Sequence, residues 1–163
     1  MVQKIPDTYP NVIAHLVVRQ AARAIDWYRD VFGARERFRL GMPDGSVGHS
    51  ELEIGRTGLI MLGEESPQWN ALSPAAFGGS PVTIMVYVED ADATVDRAVA
   101  AGARLEMKVE TQFYGDRSGR IVDPFGQEGT YSSWTNGTVT LLASNVEVFP
   151  IGRLDLANLT PDE

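Results

Sequence analysis

The order strand, helix, strand, strand, strand can be read twice along this chain, and a duplicated unit restricts the fold more than any other feature. Val12 to Val18 is a short apolar run that predicts a buried strand. Ala21 to Phe32 predicts a helix, with Ile25, Tyr28 and Phe32 on one face and Asp26, Arg29 and Asp30 on the other. Gly33 ends it. Arg35 to Leu40 alternates charged and apolar residues, as a strand with one wet face does. Asp44-Gly45 supplies a turn, and Val47 to Ile54 and Leu59 to Leu62 follow as strands.

The second copy opens with a strand over Val82 to Val88. Asp90 or Asp92 can cap a helix through Val95, Ala98 and Val99. That helix ends at Gly102-Ala103-Arg104, as the first ends at Gly33-Ala34-Arg35. Leu105 to Val109 is expected as a strand, Ser118-Gly119 as a turn, and Arg120 to Val122 as the next strand. Asp123-Pro124-Phe125-Gly126 reads as a tight turn before a strand from Thr130 to Trp134.

This pattern gives an α+β fold with a first βαβββ module over residues 8–63, a linker over 64–80 and a second module over 81–134. The linker is rich in Pro, Ser and Gly; its Trp69 and Phe77 are expected to pack against the modules. Residues 135–163 form an additional hairpin and tail, because Asn136-Gly137 is a strong two-residue turn. Such a hairpin would extend a sheet edge, cover a pocket or pair with a second chain.

Composition narrows the chemistry. The chain lacks cysteine, so disulfides, thiolate catalysis and zinc–thiolate sites are excluded. A net charge of −8 argues against nucleic acid and anionic membrane surfaces as partners. No apolar run approaches a membrane span, and no basic start precedes an apolar stretch, so a cytoplasmic protein is expected. The only histidines are His15 and His49. No phosphate loop, nucleophile elbow or His-Glu-x-x-His helix is present.

Several segments together resemble the glyoxalase/bleomycin-resistance/dioxygenase group, the vicinal oxygen chelate superfamily. Leu16-Val17-Val18, Ala24-Ile25-Asp26-Trp27-Tyr28 and Val31-Phe32-Gly33-Ala34 are similar to its first strand and helix. Tyr87-Val88-Glu89-Asp90-Ala91-Asp92 and Ala100-Ala101-Gly102-Ala103 are similar to its second. Phe113 to Gly119 with Asp123-Pro124-Phe125-Gly126 resembles the PhnB-like branch in particular. The resemblance implies two modules curled into an incomplete barrel, a ligand in the resulting cup, and a homodimer. It also implies metal ligands, usually His or Glu, on the first and last strand of each module. Here those positions are read as His15, Met61, Thr83 and Thr130 or a neighbour, and Gln127 stands where many PhnB-like relatives have histidine. One good ligand in four makes the family's metal centre unexpected.

The expected function is therefore metal-free binding of a small organic ligand, such as an antibiotic or planar metabolite, with no cofactor. A divalent metal is the alternative, in a lyase, isomerase or dioxygenase with a shifted site. His49, Glu51 and Glu53 alternate along one strand and share a face. His49 and Glu51 are candidate contacts, while Glu53 is read as solvent-facing and Leu52 and Ile54 as core. His15, within an apolar run, reads as a hydrogen-bonded core histidine or a ligand contact. Met61, Tyr87, Phe113, Tyr114 and Trp134 complete the candidate cup lining. Asp116 and Arg117 are expected to pair at the surface.

Overall fold

In a computed structural model, residues 6–126 are described throughout, and 128–134 by their backbone. The Asn136-Gly137 hairpin, the tail and Gln127 lie outside the described residues.

The expected α+β architecture of tandem βαβββ modules is present. The first module comprises β1 (Ala14–Val18), α1 (Ala21–Phe32), β2 (Arg35–Gly41), β3 (Val47–Ile54) and β4 (Gly58–Glu64). The second comprises β5 (Ile84–Tyr87), α2 (Ala91–Ala100), β6 (Arg104–Thr111), β7 (Asp116–Val122) and β8 (Glu128–Trp134). Each forms a four-stranded sheet, ordered β1-β4-β3-β2 and β5-β8-β7-β6, in which the first and last strands pair in parallel. One continuous core runs through both modules, from Leu16, Tyr28 and Leu62 to Val86, Val95 and Ile121.

The two helices form as their apolar spacing predicts. α1 buries Ala21, Ala24, Ile25, Trp27, Tyr28 and Val31. Gly33 takes a left-handed conformation at its C-terminus, φ +64°, where a Cβ would be strained. Asp90 caps α2, its carboxylate accepting from Ala93 N at 2.9 Å. The N-terminus of α1 has a non-local cap that the sequence gives no sign of: Glu64, at the end of β4, accepts from Gln20 N and Ala21 N at 2.7 Å each. That carboxylate holds Gln20 at φ +63°, unusual for a residue with a side chain.

The helices pack against one another and join the modules. Trp27 Nε1 donates to Ala101 O at 3.0 Å, and Arg97 Nε donates to Val31 O at 2.8 Å.

Three local expectations are corrected. The β6–β7 turn is at Gln112–Gly115, not Ser118-Gly119; Gly115 has φ +96° and its N–H donates to Gln112 O at 2.9 Å. Gly119 lies inside β7, where a Cβ would come within 2.8 Å of Val109 and 3.1 Å of Met107 O, so the glycine permits close strand approach. Arg117 pairs with Asp92 on α2, not with Asp116, which is buried. Burial raises the Asp116 pKa above the usual carboxylate range. The linker forms two short 3-10 turns, Pro67–Trp69 and Pro74–Phe77, and leaves Trp69 and Phe77 largely exposed. Prolines that start these turns direct the chain along the surface.

Candidate functional site

Strand register brings distant residues into rows on the sheet faces opposite the helices. In the first sheet, Phe38 pairs with Glu51, Glu51 with Met61, and Met61 with His15. Leu16, Val18, Leu52 and Ile54 are buried on the helix side, which leaves His15, His49, Glu51 and Met61 on the open face. The equivalent row of the second sheet is Met107, Arg120, Thr130 and Met85. Corresponding members lie 69 residues apart on three strands and 70 on the fourth. Glu51 in one module thus corresponds to Arg120 in the other.

That register moves one expected position. The counterpart of His15 is Met85, not Thr83, because Met85 pairs with Thr130 as His15 pairs with Met61. The four positions are His15, Met61, Met85 and Thr130: one imidazole, two thioethers and a hydroxyl. Soft thioethers do not suit a hard divalent cation, so this donor set does not fit the family's metal centre. Among the described residues no three His, Asp or Glu side chains come together to hold a metal ion.

Glu51 is the centre of the first open face. It is 5% exposed. Tyr9 Oη donates to its Oε1 at 2.9 Å, and His49 Nε2 stands 3.7 Å from the same oxygen. Arg37 Nε lies 3.6 Å from Oε2, outside hydrogen-bond reach, and Oε2 accepts no hydrogen bond from the described residues. The hydrogen bond that Tyr9 donates to Glu51 holds that phenol above its ordinary pKa. Arg37 also lies over the Tyr9 ring, 4.5 Å from its centroid.

Sequence reasoning passed over Tyr9 and Arg37. The alternation of Arg35 to Leu40 puts Arg37 and Phe38 on opposite faces, but pairing shifts between Glu36 and Phe38. This bulge lets consecutive side chains meet the open-face cluster, Arg37 at Glu51 and Phe38 at His49, ring centroids 6.2 Å apart. Tyr9 comes from the Pro6–Pro10 stretch, which carries no periodic signal.

His15 is not a core histidine. It lies exposed on the open face with its ring centroid 5.7 Å from that of His49. Burial of part of the ring, then the nearby His49, lowers its pKa and favours neutral imidazole. Gly63 keeps this space open: a Cβ there would lie 2.7 Å from Gly48 O and 3.9 Å from His15 Nε2.

His15 and Val17 also line a groove of about 440 Å³ between β1, the linker and the start of β5, with Leu72, Pro74, Phe77 and Ile84 as apolar walls. On the second sheet, Met85 and Tyr87 are partly exposed on one face. Burial and the nearby Asp116 raise the Tyr87 pKa. Phe113 and Tyr114 stand at the tip of the β6–β7 hairpin, edge to face at 5.0 Å, and do not join the Glu51 cluster. The Trp134 side chain lies outside the described residues.

Comparison with known proteins agrees with this architecture. The family model described as Glyoxalase/Bleomycin resistance protein/Dioxygenase superfamily matches residues 11–128. An uncharacterized protein of Mycobacterium bovis, Mb0911c, is 44% identical over 121 residues, 72% of this chain and 78% of that protein. The structure of the Arabidopsis thaliana At5g48480 product is 28% identical with a TM-score of 0.58, covering 73% of this chain and 94% of that one. TioX from Micromonospora sp. ML1 is similar in fold, with a TM-score of 0.60 at 23% identity over 76% of this chain and 98% of TioX. With the tandem modules, their parallel first-to-last strand pairing and the matched 11–128 segment, the chain belongs to the Glyoxalase/Bleomycin resistance protein/Dioxygenase superfamily.

Proposed function

We propose that this protein binds a small organic molecule on the open face of its first sheet and in the adjoining groove, without the family's metal centre. The observation that carries the reading is the row Phe38, Glu51, Met61 and His15, which offers aromatic and thioether surface around one buried carboxylate. Recognition of a flat organic ligand needs apolar walls and a few placed polar groups, and a groove of about 440 Å³ is of ordinary size for one. The working form is a cytoplasmic homodimer, a second copy covering the exposed Leu40, Met85 and Tyr87. No described helix is long and apolar enough to cross a membrane.

The test is metal content of protein purified without a nickel column, divalent-metal calorimetry, and a small-molecule thermal-shift screen. Substoichiometric metal with stabilisation by organic compounds is the expected result; tight stoichiometric metal would overturn it.

A second reading is favoured by the approach of His49 to both Glu51 and His15. These groups would form an acid–base site of a superfamily enzyme. Turnover would then disappear in His49→Ala, and activity that survived the change would exclude this site.

A further inference from the structure

We infer that Glu51 is the anchor of the bound molecule and that the ligand class is a planar nitrogen heterocycle presenting an N–H donor. This deepens the organic-ligand reading of the same face and rests on it. A carboxylate oxygen removed from water is stabilised by a donor, and one left without costs part of its lost hydration. Glu51 Oε1 has Tyr9; Oε2 has no hydrogen bond from the described residues. With the side chain 6% exposed, water offers Oε2 little compensation, and its donor is assigned to the bound molecule.

The surroundings select its chemistry. Arg37 Nε, 3.6 Å from Oε2, already balances the charge of Glu51, so the site calls for a donor and not for another cation. An anion would meet the carboxylate without help from His15, whose pKa is lowered by burial. The rings of Phe38, His49 and His15 follow one another at 6.2 and 5.7 Å, with Met61 between His15 and Glu51 in register. Flat aromatic and thioether surface favours a planar partner. Neutral imidazole adds one donor and one acceptor beside the carboxylate, which matches the alternating N–H and C=O edge of lactam-type heterocycles.

The probes are 2-benzimidazolinone, neutral with two N–H donors, and 2-methylbenzoxazole, of the same heavy-atom count with none. Both are titrated into the native full chain, by calorimetry and by NMR of the His15 and His49 ring signals. The expected result is binding of 2-benzimidazolinone about tenfold or more tighter than the isostere, because a hydrogen bond to a charged acceptor contributes more than a neutral one. Its N–H proton should move downfield on binding, and Glu51→Gln should remove about tenfold of its affinity. Should that variant fail to fold, the probe comparison and the N–H shift on the native chain decide alone. Equal binding of both probes with an unmoved N–H signal overturns the role of Glu51 and leaves the organic-ligand reading standing. If neither probe perturbs the histidine signals or binds, both readings fall.

Discussion

The phenol of Tyr28 donates to Asp123 Oδ2 at 2.6 Å, tying the first module's helix to the turn that precedes the second module's last strand. Asp123 Oδ1 accepts from Phe125 N at 2.9 Å, and the Phe125 ring meets Trp27 edge-on at 6.3 Å. The Asp-Pro-Phe-Gly turn is therefore a docking element between modules as well as a reversal of the chain. Both Tyr28 and Asp123 are buried. Tyr28→Phe should lower the unfolding free energy by about 1–3 kcal/mol, since a buried acceptor loses a donor. Urea denaturation measures this; a change below about 0.5 kcal/mol would show that the contact carries no weight.

The helix cap supplied by Glu64 gives a second prediction. Glu64→Ala removes the acceptor of Gln20 N and Ala21 N at the positive end of α1. The expected loss is about 1–2 kcal/mol, seen as a lower Tm. Gln20→Gly should act the other way, by about 1 kcal/mol, because glycine adopts a positive φ without strain.

Glu65 makes acid stability measurable. Hydrogen bonds from Arg19 and then from Ser73 N and Oγ lower its pKa from 4.5 to about 2. A carboxylate with a depressed folded-state pKa contributes stability in full above its unfolded value, here 4.5. That contribution is lost as pH falls toward about 2. Glu65→Gln should destabilise the protein at pH 7 and flatten its stability profile between those limits. Parallel profiles for the two proteins in that window would contradict the assignment.

Gly63→Ala tests the space between the strands. The added Cβ would stand 2.7 Å from Gly48 O, a contact with backbone that only strand displacement relieves. A cost of about 1–3 kcal/mol is expected, accompanied by shifted His15 and His49 ring signals. Unshifted imidazole resonances would mean that the histidine pair does not depend on this glycine.

The architecture was legible because its signals are local and repeated: apolar runs at Val12 to Val18 and Val82 to Val88, a helical stripe at Ile25, Tyr28 and Phe32, and glycines where the helices stop. Alternation along β3 placed His49 and Glu51 on one face correctly. What escaped depends on register and on contacts distant in sequence. The Arg37 bulge breaks the alternation that would have assigned its face. Glu64 caps a helix that begins more than forty residues earlier. The turn at Gln112–Gly115 was displaced to Ser118-Gly119 because a glycine that reverses a chain and one that admits a neighbouring strand look alike in sequence. Apolar neighbours leave His15 open between a core position and a ligand contact, and strand pairing turns it to the open face.

The correspondence of Glu51 with Arg120 sets opposite charges at one equivalent position of the two sheets. Two identical faces brought together would set carboxylate against carboxylate or guanidinium against guanidinium, whereas unlike faces would set opposite charges in register. The two open faces thus differ in sign at this one position, and an exchange of Glu51 with Arg120 would swap those two charges while leaving the net charge of −8 unchanged.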